Sequence, residues 1–278
     1  MIVEHLLLVV IAGLLTALAT GVGALPFFFV DEFSDRWNVA LWGIASGIMI
    51  AASLFGLINE GLAYTSDGLP VLLLAGLLAG VVLVEASDRL LDAVDIGRDE
   101  GADEHALEAE AVASGDLRTL VLILGILTVH SFPEGVAVGV SFAELGLEGG
   151  IPILGLSVPL LAVFMTIAIS IHNVPEGTAI AIPMRAMGLS KWRMVGAAVF
   201  SSLPQPIGAG IAFVFVTWAE AFLPFGFGFA AGAMIYLVVT EFIPEALETG
   251  HNLAHHGRTE LVGGLAAGVL MMVPLAVV

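Results

Sequence analysis

The chain has 278 residues, of which 59% are hydrophobic and 12% charged, and its formal charge is −18. A soluble domain carries about 25% charged residues, so this balance, with a mean hydropathy of +1.04, excludes an ordinary soluble protein and predicts an all-α polytopic membrane protein. There is no cysteine, which excludes disulfides and thiolate metal sites and leaves nitrogen and oxygen as the only metal ligands.

Apolar runs and their breakers predict eight transmembrane helices in a single transmembrane domain covering 1–278. They fall at about 4–30, 39–63, 69–87, 118–142, 156–183, 193–218, 223–247 and 259–278. Glu4 and His5 stand where a cleavable signal would carry basic residues, so the first run reads as a spanning helix. Thr65-Ser66-Asp67-Gly68 separates spans 2 and 3, and Glu220 to Pro224 joins spans 6 and 7, so both pairs are expected to be antiparallel neighbours. An acidic cytoplasmic loop is expected over about 88–117, where ten acids between Asp88 and Asp116 face Arg89 and Arg98. It reads first as a solvated loop. A salt-rich cytoplasm, and therefore a high-salt organism, is a second reading, and weak cation capture at a pore mouth is a third.

The basic residues orient the bundle. Arg36, Arg89, Arg98, Arg118, Arg185, Lys191, Arg193 and Arg258 all fall in connections on one side, provided the spans number eight. The positive-inside rule makes that side cytoplasmic, with both termini outside a cell membrane.

Two spans carry the same motif. His130-Ser131-Phe132-Pro133-Glu134-Gly135 recurs 42 residues later as His172-Asn173-Val174-Pro175-Glu176-Gly177. Histidine and glutamate at i and i+4 share one helix face. His130 lies about 18 Å into span 4 at 1.5 Å per residue, and His172 lies comparably deep in span 5, which runs the opposite way. Ionisable residues at that depth are functional candidates by default. Pro133 and Pro175 cannot donate to the carbonyls of Val129 and Ile171, which frees an acceptor beside each histidine. His130, Glu134, His172 and Glu176 together make a four-ligand N2O2 set suited to zinc, with Fe2+, Mn2+ and Cd2+ open. A weaker repeat pairs Gly47-Ile48-Met49-Ile50 with Gly232-Ala233-Met234-Ile235, Glu60 with Glu245, and Leu25-Pro26 with Leu203-Pro204. It predicts a 3+2+3 arrangement, with inverted repeats flanking the central pair.

These residues resemble the ZIP family of zinc and iron permeases, and most closely its GufA-like prokaryotic branch. The paired His-x-x-Pro-Glu-Gly motifs carry the resemblance. Gly23-Ala24-Leu25-Pro26, Ala231 to Tyr236 and Glu241-Phe242-Ile243-Pro244-Glu245 support it. The family implies eight spans, outside termini, a metal site between spans 4 and 5, and alternating-access transport toward the cytoplasm, of an elevator kind. A homodimer is compatible with it. Members that hold two metals use an Asn after the first His, an Asp after the second and a Glu in span 6. Here Ser131, Asn173 and Gln205 stand at those positions without charge, so one well-formed site is expected and a second weak or absent. His251, His255 and His256, with Glu241 and Glu245, are candidates to receive metal leaving the pore toward the cytoplasm. Met49 and Met234 read as packing residues, Glu60 and Glu85 as boundary residues, and His5 as a surface residue.

The reading is therefore a transporter of Zn2+ or a similar divalent ion, with no cofactor and no nucleic-acid partner, working in the bilayer. An intramembrane metallohydrolase is the first alternative, but it would need an open coordination position and a general base. A static metal-binding membrane sensor is the second.

Overall fold

The computed structural model describes residues 2–30, 33–64, 68–93, 113, 130–146, 150–153 and 155–274. The acidic loop from residue 94 with Arg98 and His105 (apart from Ala113), the stretch 118–129 of the fourth span, residues 65–67 and residues 275–278 lie outside the described residues. The helices are α1 (Ile2–Gly23), α2 (Asp35–Ala63), α3 (Val71–Ala93), α4 (130–141), α5 (Leu160–Ala186), α6 (Lys191–Trp218), α7 (Glu220–Thr249) and α8 (Arg258–Met271). Among the described residues α1, α2, α5, α6 and α7 are long and apolar enough to cross a membrane, and Val71–Ser87 is a shorter apolar helix. The chain is a multi-pass helical membrane protein.

The departures from the sequence expectation have local causes. The first helix ends at Gly23, and Leu25–Phe28 tighten into a 3-10 turn that Pro26 opens. Residues expected to begin the fifth span form a strand instead. Leu156–Val158 (β2) pairs antiparallel with Ile151–Ile153 (β1), in the register Ile151↔Val158. Gly155 makes the turn at φ 80°, a conformation open to glycine. The all-α expectation thus gains a small hairpin, and α5 starts only after Pro159. The sixth helix is interrupted between Ser201 and Pro204, where Pro204 and Pro206 remove two backbone donors. Both α2 and α7 widen into π turns, at Ala52–Ile58 and Val238–Phe242.

Glycine sets the packing. Lipid tails are as apolar as leucine, so helices associate in a bilayer mainly where small residues let backbones touch. Gly43 and Gly47 of α2 lie against the carbonyls of Leu261 and Leu265, and Gly264 and Gly268 of α8 against those of Ala40 and Ile44. Gly76 and Gly80 of α3 meet Phe225 and Phe229, while Gly228 and Gly232 of α7 meet Leu73 and Leu77. In both pairs the residue numbers rise together, so α2 runs parallel to α8 and α3 to α7. The same logic makes α1 parallel to α5, through Asn173 bonded to Thr16 and Thr178 bonded to Gly23, and α4 parallel to α6, through Gly135 against Gln205 and Gly139 against Ala209. α1 is antiparallel to α6, with Gly13 on Pro206 and Gly21 on Val199. It follows that α4 and α5 run in opposite directions.

A Cβ at Gly177 would enter the Thr20 carbonyl, whereas one at Gly196 meets nothing. Gly177→Ala is expected to cost about 1–3 kcal/mol of stability through overpacking, and Gly196→Ala to be neutral. Thermal unfolding of the purified variants checks both, and equal midpoints would contradict this packing.

Candidate metal centre

The two motifs meet where α4 and α5 cross. Glu134, His172 and Glu176 are all buried, and one ligand atom from each lies within 4.8 Å of the others. Among the described residues they are the only such group of His, Asp or Glu side chains. Glu134 and His172 are 1% and 0% exposed, a depth at which a carboxylate requires donors. His172 Nε2 meets Glu134 Oε1 at 3.0 Å, and Gln205 donates from Nε2 to Glu134 Oε2 at 2.6 Å. Asn173 donates from Nδ2 to Gln205 Oε1 at 3.0 Å and to the Thr16 carbonyl at 2.8 Å. Ser131 donates to the Ser201 carbonyl at 3.2 Å, beside the interruption of α6. The proline inside each motif leaves its helix unbroken: α5 continues through Pro175 and also Pro183, and α4 continues through Pro133.

Of the four expected primary ligands the structure gathers three. His130 is turned to α7, where its Nε2 lies 2.8 Å from both carboxylate oxygens of Glu241. Ser131, Asn173 and Gln205 are all fully buried at the site, and each already spends a polar donor on a neighbour. Glu241 is half-buried in the Val238–Phe242 turn. His251, His255 and His256 lie exposed in the loop before α8, with left-handed backbone at His255 and His256. Met49 and Met234 belong to the apolar core. Glu85 bonds Tyr236 and Arg89, and His5 is half-buried beside Gly146.

The structure adds contributors that the motifs do not contain. Thr16 acts through a backbone carbonyl, which no side-chain pattern announces. Phe242 stacks on His172, with ring centroids 5.3 Å apart and planes inclined at 21°. Two buried atoms, His172 Nδ1 and Asn173 Oδ1, make no hydrogen bond to the described residues. A divalent cation at the triad would replace the His172–Glu134 bond and take both of its atoms as ligands, with Glu176 beside them. Imidazole and carboxylate donors fit a borderline first-row ion.

A family profile described as ZIP Zinc transporter matches residues 85–276. The chain belongs to the ZIP family. Zinc transporter GufA of Myxococcus xanthus is 31% identical over 268 residues, covering 94% of this chain and 96% of its own length. Zinc transporter ZIPB of Bordetella bronchiseptica is 36% identical over 270 residues, with 96% of this chain and 80% of its own length covered. A relative from Arabidopsis thaliana is 38% identical over 233 residues, matching 84% of this chain but 33% of its own length. The chain therefore spans about a third of that plant protein and nearly all of the Myxococcus one. None of these bacterial names denotes an enzyme. Both His-x-x-Pro-Glu-Gly motifs and Gln205 fall inside the profile match, so the buried triad belongs to the family's own segment.

Gln205→Leu would strip Glu134 Oε2 of its donor and leave Asn173 Nδ2 with one acceptor fewer. It is expected to cost about 1–3 kcal/mol, read as a lower thermal midpoint of the metal-free protein. An unchanged midpoint would show that the amide chain does not support the site.

Proposed function

We propose that this chain carries Zn2+, and with it Fe2+, Mn2+ or Cd2+, toward the cytoplasm through a His2Glu2 site made by His130, Glu134, His172 and Glu176. The observation that carries the reading is the buried Glu134–His172–Glu176 triad at the crossing of two antiparallel helices. His130 completes the set by leaving Glu241 when the ion arrives, and Glu241 then stands free on the cytoplasmic side as an exit ligand. The protein is a transporter and the ion is its cargo; no cofactor enters the scheme.

We read the membrane topology as eight spans with both termini outside, in the plasma membrane. The parallel pairs α1/α5, α2/α8, α3/α7 and α4/α6 are each an even number of helices apart, as eight alternating crossings require. Arg36 and Glu260, 2.9 Å apart, hold the starts of α2 and α8 on one side. The 3+2+3 inverted repeat is supported by Gly43 and Gly47 standing to Gly228 and Gly232 at one constant spacing. A π turn also follows each glycine pair, and each glycine helix has a parallel partner carrying its own pair. The acidic composition remains the argument for a high-salt organism.

Alternating access of the elevator kind has a physical basis in the packing. Backbone-to-backbone approaches join α1 to α5 and α6, α4 to α6, α2 to α8, and α3 to α7. Side-chain contacts cross from α4 and α5 to α7: His130 to Glu241, Phe242 on His172, and Val140 beside Gly226, and Tyr64, just after α2, donates from Oη to Glu144, just after α4, at 2.6 Å. Side-chain contacts re-form after a slide more readily than interlocked backbones.

Proteoliposomes holding the purified protein are expected to take up zinc, and Glu176→Ala to reduce the rate by at least about tenfold, in line with loss of a direct ligand. Wild-type vesicles no faster than empty ones would overturn the proposal. Metal analysis is expected to find one tightly held zinc per chain, because Ser131, Asn173 and Gln205 carry no charge. Two tight ions would contradict that. Zinc affinity is expected to fall as pH drops below about 6.5, where imidazole ordinarily gains its proton. Uptake with competing metals at two pH values measures this together with the metal preference.

A further inference from the structure

The π turn of α7 presents two neighbouring side chains to two different motif histidines. Glu241 meets His130, while Phe242 lies flat against the His172 imidazole. The turn has a cause in the sequence. Pro244 has no N–H and cannot serve the Thr240 carbonyl, and the helix opens so that the Ile243 N–H reaches the Val238 carbonyl. The ring contact falls within the usual range for stacked aromatics. Phe242 is in turn backed by Trp42 of α2, at a centroid distance of 4.9 Å and an angle of 47°.

His172 needs such a partner. A metal-ligating imidazole is normally oriented by a hydrogen bond from its second ring nitrogen to a carboxylate, a carbonyl or water. Here the second nitrogen, Nδ1, is buried and has no hydrogen-bond partner among the described residues. The ring is 0% exposed, and its Nε2 must still be aimed at Glu134. Two features therefore hold its orientation: the bond at Nε2 and the aromatic face of Phe242. The bond at Nε2 is the one a cation displaces. The stack engages the ring face and so does not compete with a cation at Nε2.

We infer that Phe242 is a positioning residue for the metal centre, fixing the plane of His172 in place of the missing Nδ1 hydrogen bond. The inference rests on reading Glu134, His172 and Glu176 as a metal site. It adds that the site's geometry is set from outside α4 and α5, by the aromatic pair Trp42–Phe242 on α2 and α7. A histidine ligand is then held in its binding orientation only while α5 faces the π turn of α7.

The test is zinc binding by the purified full-length protein in detergent, by equilibrium dialysis against zinc alone. Phe242→Leu keeps an apolar side chain but removes the aromatic face, and it is expected to raise Kd about tenfold. Phe242→Tyr keeps the face and is expected to bind within twofold of wild type. If Phe242→Leu does not fold, Phe242→Met makes the same comparison. A Kd within twofold of wild type for Phe242→Leu or Phe242→Met overturns the positioning role, as does a Tyr variant as weak as the non-aromatic one. Wild type that binds no zinc, with Glu134→Ala equally inert, overturns the metal-site reading and this inference together. Zinc bound normally by both wild type and Phe242→Leu overturns this inference alone.

Discussion

Burying the Glu134 carboxylate among apolar helices obliges its neighbours to supply donors, and the centre of the molecule is arranged around that obligation. An ionised acid at the middle of a spanning helix costs about 2.5–3.5 kcal/mol on insertion scales. Here each oxygen has a partner, His172 on one and Gln205 on the other. Gln205 is steadied by Asn173, and Asn173 by the Thr16 carbonyl. One chain of short polar contacts thus passes through α1, α5, α6 and α4. Its members other than Glu134 and His172 are neutral amides and a backbone carbonyl. They satisfy the carboxylate without adding negative charge.

Such a chain forms only if four helices come close, and glycine makes that approach possible. Gly135 lies directly on the Gln205 backbone, and Gly177 on Thr20. Gly135 therefore locks α4 beside Gln205, a member of the hydrogen-bond chain, and Gly177 locks α5 against α1, whose Thr16 carbonyl ends that chain. Away from the centre, glycine pairs four residues apart join α2 to α8 and α3 to α7 in the same manner. Side-chain contacts, His130 to Glu241 and Phe242 on His172, cross from α4 and α5 to α7. The two motif histidines meet α7 there, His172 resting on Phe242 and His130 on Glu241.

Much of this was legible in the residues. Histidines and glutamates inside long apolar runs stand out because water cannot solvate them there, so Glu134, His172 and Glu176 could be named before any fold was known. Asn173 and Gln205 were legible as neutral residues in place of charged ones, and Ser131 as uncharged. The pairing of His130 with Glu241 was not, because residues 111 positions apart become neighbours only through the packing of α4 on α7. Phe242 was hidden for another reason: an aromatic residue in a membrane helix is ordinary, and only its ring angle to His172 distinguishes it. The hairpin at Ile151–Val158 was missed because its apolar residues read as the start of a helix, although Pro152, Gly155 and Pro159 interrupt them.

The sequence by itself determined the membrane class, the antiparallel pair of motif helices, the absence of thiolate chemistry and the candidate metal ligands. These follow from composition and from periodicity along a single helix, which are local properties. Tertiary structure decided which ligands stand together, which one is held apart, and what orients them. Those outcomes depend on the angle and depth at which helices cross. That geometry is set jointly by distant glycines, by prolines that open a π turn in α7 and interrupt α6, and by amides that must find partners away from water. No stretch of one helix contains that information.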